Sequence, residues 1–237
     1  MSAPMRGADG SRVWRAILLA CALIFAPAKL MAGTLASSVS GADDPFGLSS
    51  AVVTQGTLLR KWLDTEREVD HERLVLATCQ RDRASCQSQT ALQFLAIVDG
   101  ARSLEGRARL GVINRAINLK IKPMSDFALY GAEDVWSAPL DTFAKGAGDC
   151  EDYAIAKFVA LQEAGISADD LRIVVLRNNF PQEDHAVLAA RLDGHWLILD
   201  NRHLLMAEAK QVEHYLKPVF LIDHDGVRRY SPAPDAR

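Results

Sequence analysis

The segment GAGDCEDYAIAKFVAL (residues 146–161) places one cysteine among three acidic residues at the start of a helical pattern. A cysteine at a helix N-terminus is a good nucleophile, because the helix dipole favours the thiolate. Three acids flank Cys150 and act in the opposite direction, since nearby negative charge disfavours the thiolate. They are Asp149, Glu151 and Asp152. Two interpretations of these acids are open: they bind Ca²⁺ through their oxygens, or they only cap the helix.

His185 and Asp200 are the best partners for this thiol. An Asp-Gly turn between two apolar runs predicts a hairpin in which Asp200 faces Val187. His185 is then a diagonal neighbour of Asp200 at a Cα separation of about 7–8 Å, within reach of a hydrogen bond. A three-residue loop would bring Asn201 into that position instead. A thiol, an imidazole base and an orienting carboxylate form a catalytic triad, so we predict that Cys150, His185 and Asp200 act together.

Helices and a sheet must position these residues. The apolar spacing predicts helices between residues 56 and 121, then a long loop from Lys122 to Gly148. A further helix runs from Cys150 to Ala164, and Gly165 suits its C-terminal cap. Helices followed by a mostly antiparallel sheet predict an α+β domain. The predicted strands are 171–177, 185–192, 195–200 and 218–223.

Three side chains beside these elements also carry predictions. Asn114 and Asn118 share one helix face, and we expect their amides to hold a following loop in place. Trp136 lies in the loop before Cys150. It either packs in the core or forms a wall of the substrate groove.

The N-terminus has the features of a secretory signal. Three arginines precede the apolar run AILLACALIFAPA (16–28), and small residues follow it. A membrane-spanning helix needs roughly 20 apolar residues, so a cleaved signal over residues 1–32 is favoured over an uncleaved anchor. A lipoprotein site at Cys21 is a third interpretation. Residues 33–50 are small and polar, and we predict that they form a flexible leader.

Charge and cysteine content restrict the class of protein. The chain has a formal net charge of −3, and removing the signal takes away more basic than acidic residues. No basic stripe remains, so we expect no nucleic-acid partner. Cys79 and Cys86 lie in the polar segment TCQRDRASC and are predicted to form a disulfide, the alternative being two free thiols. Cys150 is then a single thiol, and we expect it to be reactive.

These residues together resemble a known family. The motif GDCEDYA, with His185 before an apolar strand and Asp200 at the end of WLILDNR, resembles the bacterial transglutaminase-like cysteine proteinases. INRAIN and DVWSAPLDTFAKGAGDCEDYA extend the resemblance over roughly residues 55–230. It implies a papain-like or transglutaminase-like fold over residues 51–232, with a helical N-terminal lobe. It also implies endopeptidase activity with Cys150, His185 and Asp200 as the catalytic triad.

The resemblance further implies a substrate, a cofactor and a regulator. Family members cleave a large surface adhesin near its N-terminus at an Ala-Ala bond, which releases cells from a biofilm. An inner-membrane receptor that senses cyclic-di-GMP restrains them in the periplasm. They bind Ca²⁺ through acids that match Asp149, Glu151 and Asp152, and this cation would offset the negative charge beside Cys150. Two other functions stay open, namely acyl transfer to amines by a transglutaminase and a non-catalytic calcium-binding module.

Overall fold

The computed structural model describes residues 44–178 and 183–231. They form a helical region, a seven-stranded sheet and a separate two-stranded sheet. The helical region comes first along the chain, as the apolar spacing predicts. The α-helices are α1 (Thr57–Arg81), α2 (Gln89–Arg102), α3 (Gly106–Lys120), α4 (Asp126–Tyr130), α5 (Pro139–Lys145), α6 (Cys150–Glu163) and α7 (Ala209–Val212).

The large sheet has the strand order β1-β9-β8-β4-β5-β6-β7, and every neighbouring pair in it is antiparallel. This arrangement confirms the predicted α+β class. Strands β2 and β3 form a separate, parallel pair. The strands are β1 (Ser50–Val52), β2 (Lys122–Pro123), β3 (Ala147–Gly148), β4 (Leu171–Asn178), β5 (Asp184–Leu192), β6 (His195–Leu199), β7 (Ala207–Glu208), β8 (Leu216–Asp223) and β9 (Gly226–Tyr230).

Helix α6 lies at the centre of the fold. Its residues 151–161 are all buried, so the helix is enclosed on every side rather than along a single apolar stripe. It packs against β5 of the sheet and against helices α2, α3 and α5. One apolar cluster fills the space between the helices and the sheet, and a second covers the other sheet face. Burying α6 in this way fixes the position of the residues at its N-terminus.

The predicted loop between residues 122 and 148 is wrong, because this segment contains α4, α5 and two short strands. Helix α5 begins with Pro139 at its first position, which suits the fixed φ of proline. Its first amides are capped from α1: the Glu72 carboxylate accepts from Leu140 N–H at 2.7 Å and from Asp141 N–H at 3.1 Å. A cap that comes from so far along the chain leaves no local signal in the sequence.

The predicted flexible leader is wrong for residues 44–50. The Asp44 carboxylate accepts a hydrogen bond from the Phe46 amide at 2.8 Å. The Phe46 ring packs edge-on against Tyr230 with centroids 6.3 Å apart, and Ser50 pairs with the same tyrosine in the sheet. This segment is held because its few apolar side chains cover the second face of the sheet.

Residues 1–43 lie outside the described part of the chain, so the signal over residues 1–32 stays a prediction. Between residues 44 and 178 and between 183 and 231, no helix is both long and apolar enough to cross a membrane. The predicted bridge between Cys79 and Cys86 is confirmed, and this disulfide joins the end of α1 to the loop before α2.

Candidate active site

Cys150 is the first residue of α6 and the one free cysteine among the described residues. Strand β3 fixes the chain before it, where the Met124 amide donates to the Gly148 carbonyl at 3.0 Å. The Ala186 amide donates to Sγ of Cys150 at 3.3 Å, and the thiol itself donates to Oε2 of Glu151 at 3.1 Å. The nucleophile predicted from the sequence therefore lies against the first residues of β5.

His185 and Asp200 are joined as the predicted hairpin requires. Strands β5 and β6 pair with Leu188 opposite Leu199, which is the register of a two-residue turn. Nε2 of His185 lies 2.9 Å from Oδ1 of Asp200, and both residues are buried. Nδ1 of the ring is also buried and has no hydrogen-bond partner among the described residues. The alternative with Asn201 in this position does not occur.

The thiol and the imidazole face one cleft. Cys150 and His185 both line this cleft of about 480 Å³, and Trp136 lines it as well. Cys150 also lines a second opening of about 500 Å³, together with Met124 and Arg202. Trp136 packs against the main apolar cluster as well as lining this cleft, so the packing role is confirmed and a role as a wall of the substrate groove stays a prediction. Cys150 therefore lines two openings of the surface.

The loop that carries Asp200 is held by helix α3. The Asn118 amide donates to the carbonyls of Asp200 and His203, both at 2.9 Å. The Asn114 amide donates to the carbonyls of His203 and Leu204, both at 3.2 Å. The prediction that these asparagines hold a loop is correct, but the loop follows β6 and not α3.

The surroundings of Cys150 disfavour its thiolate form. Burial raises the pKa of Cys150 well above its ordinary value, and the charges of Glu151 and Asp149 add to this effect. Burial would also raise the pKa of Asp200. The hydrogen bond and charge of His185, the Arg202 amide and the charge of a buried lysine outweigh it and hold that pKa below its usual range.

Three carboxylates form a cluster beside the thiol. Oxygens of Asp126, Asp149 and Glu151 all lie within 4.8 Å of one another. Two of them match the predicted calcium ligands, whereas Asp152 is not in this group. Its Oδ1 accepts from the Ser137 amide at 2.9 Å. Asp126 was missed by the sequence reasoning, because α4 brings it to the site and its own neighbours look like an ordinary first helical turn.

The cluster fits a hard divalent cation. Oδ1 of Asp126, Oδ1 of Asp149 and Oδ2 of Asp152 are buried and have no hydrogen-bond donor among the described residues. Burial, followed by the charge of Glu151, raises the pKa of Asp149 to about 9. The side chain of Asp149 caps no amide of α6 in the described structure, which counts against pure capping. Unpaired carboxylate oxygens at this spacing are the ligands that Ca²⁺ prefers.

Gly148 lets Asp152 approach the chain before the nucleophile. A Cβ atom at this glycine would lie 2.5 Å from Oδ2 and 2.8 Å from Cβ of Asp152. Burial raises the pKa of Asp152 to about 7, although the Ser137 amide acts against this rise. Asp152 therefore ties the start of α6 to the segment that carries Trp136.

Comparison with known proteins gives one family. Solved structures of LapG from Legionella pneumophila are similar to this chain, with 25% identity, a TM-score of 0.54 and coverage of 69% of this chain and 89% of theirs. The calcium-bound form has 26% identity and a TM-score of 0.55, covering 65% of this chain and 87% of that one. For the EGTA-treated form these values are 26%, 0.54, 66% and 84%.

These structures confirm the transglutaminase-like, papain-like fold. No protein with a curated description matches the sequence. The sequence profile of the bacterial transglutaminase-like cysteine proteinases matches residues 71–217, more than half of the chain. The protein is a cysteine peptidase, and it belongs to the bacterial transglutaminase-like cysteine proteinase family.

Proposed function

We propose that this protein is a calcium-dependent periplasmic endopeptidase that cleaves a large surface adhesin near its N-terminus and so releases cells from a biofilm. The observation that carries the proposal is the paired and buried His185–Asp200 unit: His185 lines the same cleft as Cys150, and its Nδ1 has no hydrogen-bond partner among the described residues. Cys150 lines two openings, and we expect the chain on either side of the scissile bond to occupy them.

The proposed reaction starts at the thiol. Nδ1 of His185 takes the proton of Cys150 while Sγ forms a bond to the carbonyl carbon of the scissile peptide. Asp200 accepts a hydrogen bond from Nε2–H, because an ionised carboxylate has no proton to donate. This bond holds the ring in the required tautomer and stabilises the imidazolium. The Cys150 amide, at the N-terminus of α6, can donate to the oxyanion that forms.

The second half of the reaction returns the enzyme to its starting state. His185 gives its proton to the leaving amine as the C–N bond breaks, which leaves a thioester on Cys150. A water molecule loses a proton to His185 and attacks the thioester carbon; the C–S bond then breaks, the sulfur takes that proton back from His185, and the product acid is released and ionises in solvent. Each group of the triad is therefore used twice in one turnover.

Calcium dependence is supported by the carboxylate cluster. Asp126, Asp149 and Glu151 would hold the ion, with the free Oδ2 of Asp152 beside them. Bound Ca²⁺ would supply positive charge next to a thiol whose pKa is otherwise raised by burial and by the charges of Glu151 and Asp149. Calcium-bound and EGTA-treated forms of the Legionella pneumophila relative have both been solved, which agrees with a removable ion.

The proposed periplasmic location rests on the N-terminal pattern, and the proposed partners rest on the family. The basic and apolar segments of residues 1–32 support export to the periplasm. There we expect an inner-membrane receptor of cyclic-di-GMP to restrain the enzyme until the adhesin has to be released.

The direct test is incubation of the mature protein with the N-terminal fragment of a large adhesin from the same cell. We expect one cut in Ca²⁺ and none in chelator. Incorporation of a labelled amine into a glutamine-bearing protein, without cleavage, would indicate a transglutaminase instead. A thiol that fails to react with a peptide electrophile would indicate a non-catalytic calcium-binding module.

A further inference from the structure

Lys157 is a fully buried lysine beneath the proposed triad. It lies about two turns after Cys150 on the same helix, with none of its side chain exposed to solvent. Its Nζ donates to the backbone carbonyl of Leu199 at 3.2 Å. Leu199 is the last residue of β6, and Asp200 follows it directly. Nζ also lies 5.9 Å from the ring centroid of Tyr153. The helix that carries the nucleophile is thus bonded to the strand end that carries the orienting acid.

Among the described residues, the charged and titratable groups near Lys157 belong to the proposed triad or to α6 itself. Asp200 is the carboxylate whose charge acts on Nζ, and His185 of β5 is bonded to that carboxylate. On its own helix, Tyr153 is the titratable neighbour. The buried residues of α2 and α3 include no titratable side chain, and the same holds for α5. Asp200 is therefore the natural electrostatic partner of the amine.

An amine in this position is costly for a purely packing role. Burying an ammonium group is unfavourable unless it is paired, and an apolar side chain of similar volume would fill the same space without that cost. Burial lowers the pKa of Lys157 to about 7, and the charge of Asp200 opposes this fall. In return, the charge of Lys157 helps to keep the pKa of Asp200 low.

We infer that Lys157 is a positioning residue of the peptidase: its amine ties α6 to the end of β6, and its positive charge adds to that of His185 in favouring the Asp200 carboxylate as the acceptor of Nε2–H of His185. The inference rests on the proposed triad. The line of contacts runs from Lys157 to the carbonyl of Leu199, from the adjoining Asp200 to His185, and from His185 to the cleft that Cys150 also lines.

The test compares Lys157→Met with Leu161→Met. Leu161 is also fully buried and lies one turn further along α6, so this control changes packing without changing charge. Two readouts need no adhesin: the rate of Cys150 alkylation by iodoacetamide at one pH, and the ¹⁵N resonances of the His185 ring. We expect Lys157→Met to lower the alkylation rate at least tenfold and to give a mixture of ring tautomers, whereas Leu161→Met leaves both unchanged.

Lys157→Gln separates the two parts of the role. Glutamine keeps an N–H donor on a side chain that is one atom shorter but has no charge, so we expect a folded protein whose His185 ring is altered as in Lys157→Met. If Lys157→Met does not fold, the inference is tested by Lys157→Gln and by the parent protein. In the parent, the ¹³Cε resonance of Lys157 and the ring resonances of His185 should move over the same pH range.

The inference is overturned if both lysine variants keep the parent's alkylation rate and ring signals, or if His185 does not respond when Lys157 titrates. A different outcome would count against the proposed function itself. In that case the parent's Cys150 would react no faster than an ordinary free thiol, and its His185 ring would show no fixed tautomer before any substitution is made.

Discussion

The thiol of Cys150 donates to Oε2 of Glu151 at 3.1 Å, and the carboxylate that accepts this bond also belongs to the cluster with Asp126 and Asp149. One side chain thus connects the nucleophile to the group of acids beside it. While Glu151 accepts from the thiol, it favours the protonated sulfur. A cation that took up the oxygens of this carboxylate would compete with that bond, which is why we expect activity to follow calcium binding.

Asp126→Asn tests the ligand that the sequence did not reveal. We expect this change to weaken Ca²⁺ binding at least tenfold and to raise the calcium concentration needed for activity, because it removes one negative charge from the cluster. Isothermal titration calorimetry measures the binding. The matched control is Asp64→Asn, the same change at an exposed site on α1. Equal affinities for both variants would show that Asp126 is not a ligand.

Asp149→Asn distinguishes calcium binding from helix capping. Asparagine caps a helix about as well as aspartate, so a capping role predicts almost no change in the free energy of unfolding or in activity. The calcium interpretation predicts weaker binding and a smaller rise of Tm when Ca²⁺ is added. Thermal unfolding with and without Ca²⁺ gives the answer. Full activity of this variant in chelator would mean that calcium has no role at the site.

Much of the site could be predicted from the sequence because its signals are local. The Asp193-Gly194 turn sets the β5–β6 register, which in turn brings His185 and Asp200 together. Asp126 and Glu72 could not be found in this way. Each contacts residues that are far away along the chain. These contacts form only when the short helices between residues 122 and 148 pack in place, because Asp126 lies on α4 and Glu72 caps α5. The segment near residue 46 was missed because few apolar residues hold it to the sheet.

Glu72→Gln should change the pH dependence of stability. Burial raises the pKa of Glu72 to about 7 from its ordinary 4.5, despite the bonds from Leu140 and Asp141. Its contribution is therefore complete below about pH 4.5 and is lost as the pH rises through 7. Relative to the parent, Glu72→Gln should gain stability between pH 5 and pH 8. Urea unfolding at several pH values measures this difference.

The control for that experiment is Glu68→Gln, an exposed glutamate one turn earlier on α1. The charge of Glu68 has a smaller effect on the pKa of Glu72 than burial, the two amide bonds and Asp141 have, so this variant should keep most of the parent's pH dependence. If the Glu72→Gln curve is parallel to the parent, then the cap of α5 does not titrate in this range.

Gly148→Ala should destabilise the protein by about 1–3 kcal/mol, the usual effect of overpacking a filled site. The added methyl would collide with Asp152, which holds the Ser137 amide and thus the segment bearing Trp136. The control is Gly100→Ala in α2, where no atom lies within 4 Å of the added Cβ. Alanine suits a helix interior better than glycine, so this control should be neutral or slightly stabilising. Equal stability of the two variants would contradict the close approach of Asp152.

The triad is the central claim, and substitution of its members tests it most directly. Cys150→Ala and His185→Ala should each abolish cleavage of the adhesin fragment in Ca²⁺ while the protein stays folded by circular dichroism. Asp200→Asn should keep a small residual rate, because the ring stays in place but loses its tautomer preference. The decisive measurement is the cleavage rate of Cys150→Ala beside that of the parent. We predict no cleavage by this variant, and cleavage at the parent's rate would show that Cys150 is not the nucleophile.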